Sequence, residues 1–148
     1  MRLGVNFDGA AISSPAEAWI THDGSALRIA VKSPLPKKRD LGHTWGKSDA
    51  VELAFRAADG PNADTLVLRG FADGTWLPTA DAGAGGKSMA RLSPDILYAA
   101  KVDRESWVAE WRIPLANLGL TPGDRVRANV TIRRHGTNAW VMWRPTRG

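Results

Sequence analysis

Carboxylates, guanidinium groups and indoles recur along this chain at spacings that place them on shared faces. Arg28, Glu52, Glu110, Arg127 or Asn129, and Arg133 each fall on the polar row of a segment whose alternate residues are apolar. Neighbouring strands lie about 4.8 Å apart, so such groups on adjacent strands can converge on one ligand. Together they suit a sugar. Carboxylates, amides and guanidinium groups make paired hydrogen bonds to vicinal hydroxyls, and the C–H face of a pyranose stacks on an aromatic ring. Rings are plentiful, with seven tryptophans against one tyrosine and three phenylalanines. Trp45 stands beside Gly46 in a polar loop where burial is hard to arrange, so it reads as a platform; Trp76, between Gly74 and Pro78, has the same character. Arg69 is a further candidate, although Leu66 and Leu68 compete with Val67 and Phe71 for the buried row and leave its direction open. Trp107 and Trp111 share a row with Ile113 and are assigned to the core, as is Trp19.

The same residues admit other chemistry. Glu52 with Arg28 or Arg133 makes an ordinary cross-strand ion pair on a solvated sheet, worth roughly 0.2–1 kcal/mol. Glu52 and Glu110 could act as acid and base in a glycosidase or lyase at separations of about 5–9.5 Å. No aspartate or glutamate sits in a distinctive catalytic motif, however, and no catalytic residue is assigned. Met89, Met142 and His135 are haem-ligand types without a recognisable spacing. His22, His43 and His135 read as loop polar groups. The absence of cysteine excludes disulfides, thiolate metal sites and thiol nucleophiles. Asp8, Asp23, Asp49 and loop carbonyls offer the oxygen donors that calcium prefers, but no run has calcium-loop spacing and no ligands are assigned.

These groups are positioned by short alternating segments. Residues 26–32, 49–56, 107–113 and 125–133 carry the clearest alternation, with Leu27, Ile29 and Val31; Val51, Leu53 and Phe55; Trp107, Ala109, Trp111 and Ile113; and Val126, Ala128, Val130 and Ile132 facing inward. Residues 16–21, 65–71, 96–102 and 139–144 are further strands, and residues 3–7 are expected as an edge strand. Pro114 ends its strand, residues 115–118 make one helical turn, and Gly119 stops it. Residues 33–47 form a long loop, and residues 81–87, with three glycines, a flexible surface loop or a break between sheets. Asp8-Gly9, His22-Asp23-Gly24, residues 59–62, Asp73-Gly74, residues 121–124 and residues 135–138 supply the turns. The expected fold is all-β: an antiparallel, jelly-roll-like β-sandwich with one short helical turn, in a single domain spanning residues 1–148.

At 148 residues the chain is long enough to bury a core without staples. No apolar run approaches the roughly 20 residues of a membrane helix, so no membrane partner is expected. No apolar h-region follows Met1, and the chain reads as an excised domain whose export signal lies elsewhere. The net charge of +5 favours an anionic partner. The basic residues are dispersed apart from Lys37-Lys38-Arg39 and Arg133-Arg134, and no helix-turn-helix, RNP-type or zinc-finger spacing is present. Nucleic acid is therefore not expected as a partner.

Residues 45–53 (Trp-Gly-Lys-Ser-Asp-Ala-Val-Glu-Leu), the run Trp107-x-x-Glu110-Trp111-x-Ile113-Pro114-Leu115-x-x-Leu118-Gly119, and Asn129-x-x-x-Arg133 follow one another in an order that resembles the family 9 carbohydrate-binding modules and their DOMON-like relatives. Residues 27–31 after Asp23-Gly24 fit the same pattern. The resemblance spans residues 20–144. It implies a β-sandwich that binds a polysaccharide or oligosaccharide, part of a larger, secreted, multidomain glycan-degrading enzyme, with calcium in some members and haem in some DOMON-like ones. It also implies a sugar held between two tryptophans. Trp45 matches the first; Trp143 is the best positional match for the second and Trp140 the next. The chain departs from the family near its start, where the early Asp-Gly and tryptophan elements are compressed into Phe7-Asp8-Gly9 through Trp19.

Overall fold

Alternation in the sequence becomes strands joined in one ladder. The computed structural model describes residues 1–59, 63–92 and 95–146. In chain order these form β1 (Arg2–Val5), β2 (Ala11–His22), β3 (Ala26–Pro34), β4 (Ala50–Ala57), β5 (Leu66–Phe71), β6 (Trp76–Thr79), a short helix α1 (Gly86–Arg91), β7 (Leu97–Val102), β8 (Ser106–Pro114), a 3-10 turn (Leu115–Leu118), β9 (Val126–Arg134) and β10 (Ala139–Met142). Every pairing is antiparallel, and the strands make one continuous sheet in the order β6-β5-β4-β9-β10-β1-β2-β3-β8-β7. The fold is all-β.

The sheet doubles over on itself, so that β6-β5-β4-β9-β10 lies against β1-β2-β3-β8-β7 as the two layers of a sandwich that nearly closes into a barrel. Near the free ends, the Tyr98 hydroxyl of the end strand β7 donates at 2.7 Å to the Phe71 carbonyl of β5, the neighbour of the other end strand β6. The halves join at β1 and β10 through the register pair Val5↔Met142. The expected edge strand is thus an interior one. Its weak alternation gives it an edge signature, but both of its sides are paired.

Inner rows of both halves fill the space between. Val51, Leu53, Val130 and Ile132 meet Ile29, Val31, Trp107, Trp111 and Ile113, all buried in one apolar cluster; each such side chain stabilises by about 1.5–3 kcal/mol when taken from water. Trp107 and Trp111 are core residues, as their row predicts. Trp19 is not. Ala18 and Ile20 take the inner row of β2, which turns Trp19 outward and leaves it 49% exposed. Arg134 ends the inner row of β9 and is buried. Its Nε donates to Ser33 Oγ of β3 at 3.2 Å, its Nη1 donates to the Ser14 carbonyl of β2, and its Nη2 has no acceptor.

Residues 115–118 form the expected turn, closed by Gly119 at φ 68° with its N–H on the Ala116 carbonyl. The helix α1 was not expected. Its first turn starts within the glycine run of residues 81–87, and glycine is a poor helix former that masks the pattern.

One close approach between the layers falls at Gly70. A Cβ on Gly70 would lie 2.5–2.6 Å from the rings of Tyr98 and Trp111, whereas one on Gly86 would meet nothing within 4 Å. Gly70→Ala should destabilise the protein by about 1–3 kcal/mol through overpacking. Gly86→Ala should be neutral or stabilise by up to about 1 kcal/mol. Urea unfolding of the two variants would check this.

Candidate functional site

The outer rows of β5, β4, β9 and β10 converge at one end of the sheet. Arg69, Glu52 and Thr131 lie side by side in register, and one step along so do Phe71, Ala50, Arg133 and Trp140. The direction of Arg69 is thereby settled: Leu66, Leu68 and Gly70 take the inner row, and Val67, Arg69 and Phe71 the outer. Arg69 donates from Nε to Glu52 Oε2 at 2.9 Å and from Nη1 to Asp81 Oδ2 at 2.7 Å. Its guanidinium carbon also lies 4.0 Å from the centroid of the Trp45 ring. Trp45 meets Trp140 edge-to-face, with centroids 5.2 Å apart and planes at 61°, and both rings are half-buried. Arg133 lies 5.3 Å from the Trp140 centroid. Glu52 pairs with Arg69, not with Arg28 or Arg133; Arg28 pairs with Asp23 at 3.2 Å.

Trp45 comes from the loop between β3 and β4, which is fastened down at several points. The wholly buried Asp49 carboxylate accepts the Asp40 amide at 2.9 Å and the His135 amide at 3.1 Å. His135 Nδ1 lies 2.9 Å from the Lys47 carbonyl. Gly46 adopts φ 78°, a conformation that side chains resist, and its carbonyl accepts Arg133 Nε at 2.9 Å. Arg133 also donates Nη1 to the Arg134 and Ala139 carbonyls at 2.9 and 3.4 Å, and Nη2 to Asn138 Oδ1 at 2.6 Å. Only 6% of Arg133 is exposed. Expected as a ligand contact, Arg133 directs its donors to the Gly46, Arg134 and Ala139 carbonyls and to Asn138, beside both indoles.

Two sugar-stacking distances of about 3.5–4 Å each would be needed between ring planes to admit a pyranose. Trp45 and Trp140, in contact and tilted, leave no such slot. They present a shared aromatic flank, bordered by Arg69, Glu52 and Asp81.

No protein-family model matches the sequence, and no curated protein matches it. Solved structures do. A family 9 carbohydrate-binding module from Caldicellulosiruptor kristjanssonii in complex with cellotriose aligns over 94% of this chain and 70% of its own, with a TM-score of 0.67 and 19% identity. A family 9 module from the same organism in complex with glucose aligns over 94% and 71%, with a TM-score of 0.70 and 17% identity. A candidate carbohydrate-binding protein from Bacteroides uniformis aligns over 98% and 76%, with a TM-score of 0.57 and 14% identity. The fold is that of the family 9 carbohydrate-binding modules.

Within this module fold the ring beside Trp45 is Trp140, not Trp143. β10 ends at Met142. Beyond it, the Trp143 N–H bonds the Val130 carbonyl and its ring packs against the core, with Arg144 5.6 Å from its centroid. Alternation held the signal, since Trp140 shares a face with its register partner Arg133. Trp76 is turned inward by its pairing with Gly70 and meets Trp111 edge-on at 5.7 Å, so it belongs to the core side and not to the aromatic flank. Asn129 clamps the chain after β10: it donates to the Arg144 carbonyl at 3.1 Å and accepts the Arg144 and Val130 amides. Asp81 and Asn138 were missed, the first in a presumed flexible loop and the second in a turn.

Other pairings of the sequence do not assemble. Glu52 and Glu110 lie on the outer faces of opposite layers, β4 and β8, so no glycosidic oxygen fits between them. Met142 is buried, and His135 is turned to Lys47. Of the oxygen donors suited to calcium, Asp49 holds loop amides, and Asp23 accepts the Ser25 hydroxyl and the Ser25 and Ala26 amides. Among the described residues no cluster of three or more histidine, aspartate or glutamate side chains has the geometry of a metal site.

Hydrogen bonds from Arg69 and Thr79 hold the Asp81 carboxyl below the usual aspartate range. A depressed carboxylate stabilises the fold above its unfolded pKa and loses that contribution as pH falls through the folded value. Carboxyl NMR should therefore place the Asp81 midpoint below about 3.9. In Arg69→Met it should climb toward that value; an unmoved midpoint would show that the pair is not formed in solution.

Proposed function

We propose that this chain is a non-catalytic carbohydrate-binding module that holds a polysaccharide, or the end of one, on the Trp45–Trp140 flank. The observation that carries the reading is the contact of two half-exposed indoles beside Arg69, Glu52 and Asp81, which brings stacking surface and paired hydrogen-bond groups within reach of one sugar. The shared fold with modules solved in complex with cellotriose and glucose supports it. In this reading the sugar ring stacks on the outward flank of the indole pair. The Glu52 and Asp81 carboxylates accept from its hydroxyls while Arg69 donates. Arg133 and Asn129 hold the frame.

The module serves a secreted glycan-degrading enzyme, delivering it to polymer. Lys37, Lys38 and Arg39 lie in the loop that carries Trp45 and favour acidic glycans by long-range attraction.

Calorimetry with cellotriose, glucose and acidic oligosaccharides tests the assignment. Trp45→Ala and Trp140→Ala should each weaken binding about tenfold or more, equivalent to roughly 1.4 kcal/mol, without unfolding the domain. Trp143→Phe should bind as the parent does. Unchanged affinity in both alanine variants would refute the site. Separately, affinity for an acidic oligosaccharide should fall between 0.1 and 1 M salt, where the screening length shrinks from about 10 to about 3 Å, while that for cellotriose should hold. Equal salt response would remove the charge preference and leave the aromatic site standing.

A further inference from the structure

On the layer opposite Trp45, the outer rows of β2, β3, β8 and β7 form a second face. Trp19, Ala30, Glu110 and Ala99 lie across it in register. One step along lie Thr21, Arg28, Arg112 and Leu97. The small side chains of Ala30 and Ala99 keep the floor low between the Trp19 ring and its neighbours, and the hollow above them measures about 380 Å³. That is the size of a small-ligand site, which runs from about 300 to 1,000 Å³. Its walls hold exposed apolar surface, with Trp19 49% and Leu97 60% accessible.

The charges on this face are what commit it to an occupant. Arg28 and Arg112 are direct cross-strand partners, and like charges in that position repel. Asp23 answers Arg28 from the flank. Arg112, half-buried, has no carboxylate or hydrogen-bond partner among the described residues. A carboxylate arriving over this pair would meet a planar donor fork suited to bidentate binding. Glu110, exposed and likewise unpaired, could accept only from hydroxyls or amides.

We infer that this face is a second saccharide site, selective for a uronic-acid residue: the sugar ring stacks on Trp19 above Ala30, its carboxylate binds Arg112 and Arg28, and its hydroxyls donate to Glu110. The inference extends the reading of the chain as a carbohydrate-binding module, but it uses none of the Trp45–Trp140 residues.

The test separates the two sites. In a Trp45→Ala/Trp140→Ala protein, NMR titration with trimers of galacturonate, mannuronate and guluronate should move the Trp19 indole and Arg112 Nε resonances with at least one of them. Adding Trp19→Ala or Arg112→Gln should weaken that binding at least tenfold. Trp19 is exposed and Arg112 lies half-exposed on an outer row, so neither change should disturb folding, which the remaining resonances report. Cellotriose should leave Trp19 unmoved. No shift at Trp19 or Arg112 with any uronate trimer would overturn the inference, as would a shift that survives Arg112→Gln or one that cellotriose reproduces. Failure here, with cellotriose still bound through Trp45 in the parent, would leave the first site untouched; the reverse pattern would remove the first and keep the second.

Discussion

A buried guanidinium sets the geometry of the aromatic surface. A charge taken from water is tolerated only when its donors are nearly all satisfied, and Arg133 satisfies its own with acceptors at Gly46, Arg134, Asn138 and Ala139. Gly46 adjoins Trp45, and Ala139 adjoins Trp140. The side chain that fills the space beneath the loop therefore fixes both ends of the indole pair at once. Asp49 does the complementary work with negative charge, gathering the Asp40 and His135 amides from the loop and the β9–β10 turn. Neither residue needs to touch a sugar for the platform to depend on it.

This arrangement changes what an outer row means. On a bare sheet, the outer positions of β4, β5 and β9 would be solvated, and paired charges there would contribute little. Here the loop covers them, so Arg69, Thr131 and Arg133 are all buried although they point away from the core. Arg69 is then confined among Glu52, Asp81 and the face of Trp45; its pair with Glu52 is largely shielded from water, while its pair with Asp81 opens to solvent on the carboxylate side. Among the described residues no such loop covers the outer row of β2 at Trp19, which stays open.

Much of this was legible in the residues. The inner rows of β3, β4, β8 and β9 followed from period-two alternation, and the 3-10 turn from Pro114 and Gly119. Glu52 falls on the polar row opposite Val51, Leu53 and Phe55, and Trp45 stands beside Gly46 in a polar loop. What alternation cannot supply is which outer face a loop will cover. Arg133 and Asn129 carry the residue types of a ligand contact, yet their donors are taken up within the fold, those of Arg133 by the Gly46, Arg134 and Ala139 carbonyls and Asn138 Oδ1 and that of Asn129 by the Arg144 carbonyl. Trp143 and Trp19 failed for another reason. The positional match to the family favours Trp143, and an indole at Trp19 reads as core filler, whereas the pleat assigns direction by parity, and Trp140 and Trp19 fall on the outer parity of their strands.

Arg134, beside Arg133 but pointing the other way, carries a different consequence. Its charge lies between the layers with hydroxyl and carbonyl partners from Ser33 and Ser14, a free Nη2, and a basicity lowered by desolvation. Burial disfavours the charged form, and a guanidinium keeps its proton, so the fold carries the cost of that charge. Its worth is selective. A one-residue slip of β9 would strand that cation away from both serines and turn Ile132 out to water, so the mispaired ladder forfeits on two counts what the true one keeps.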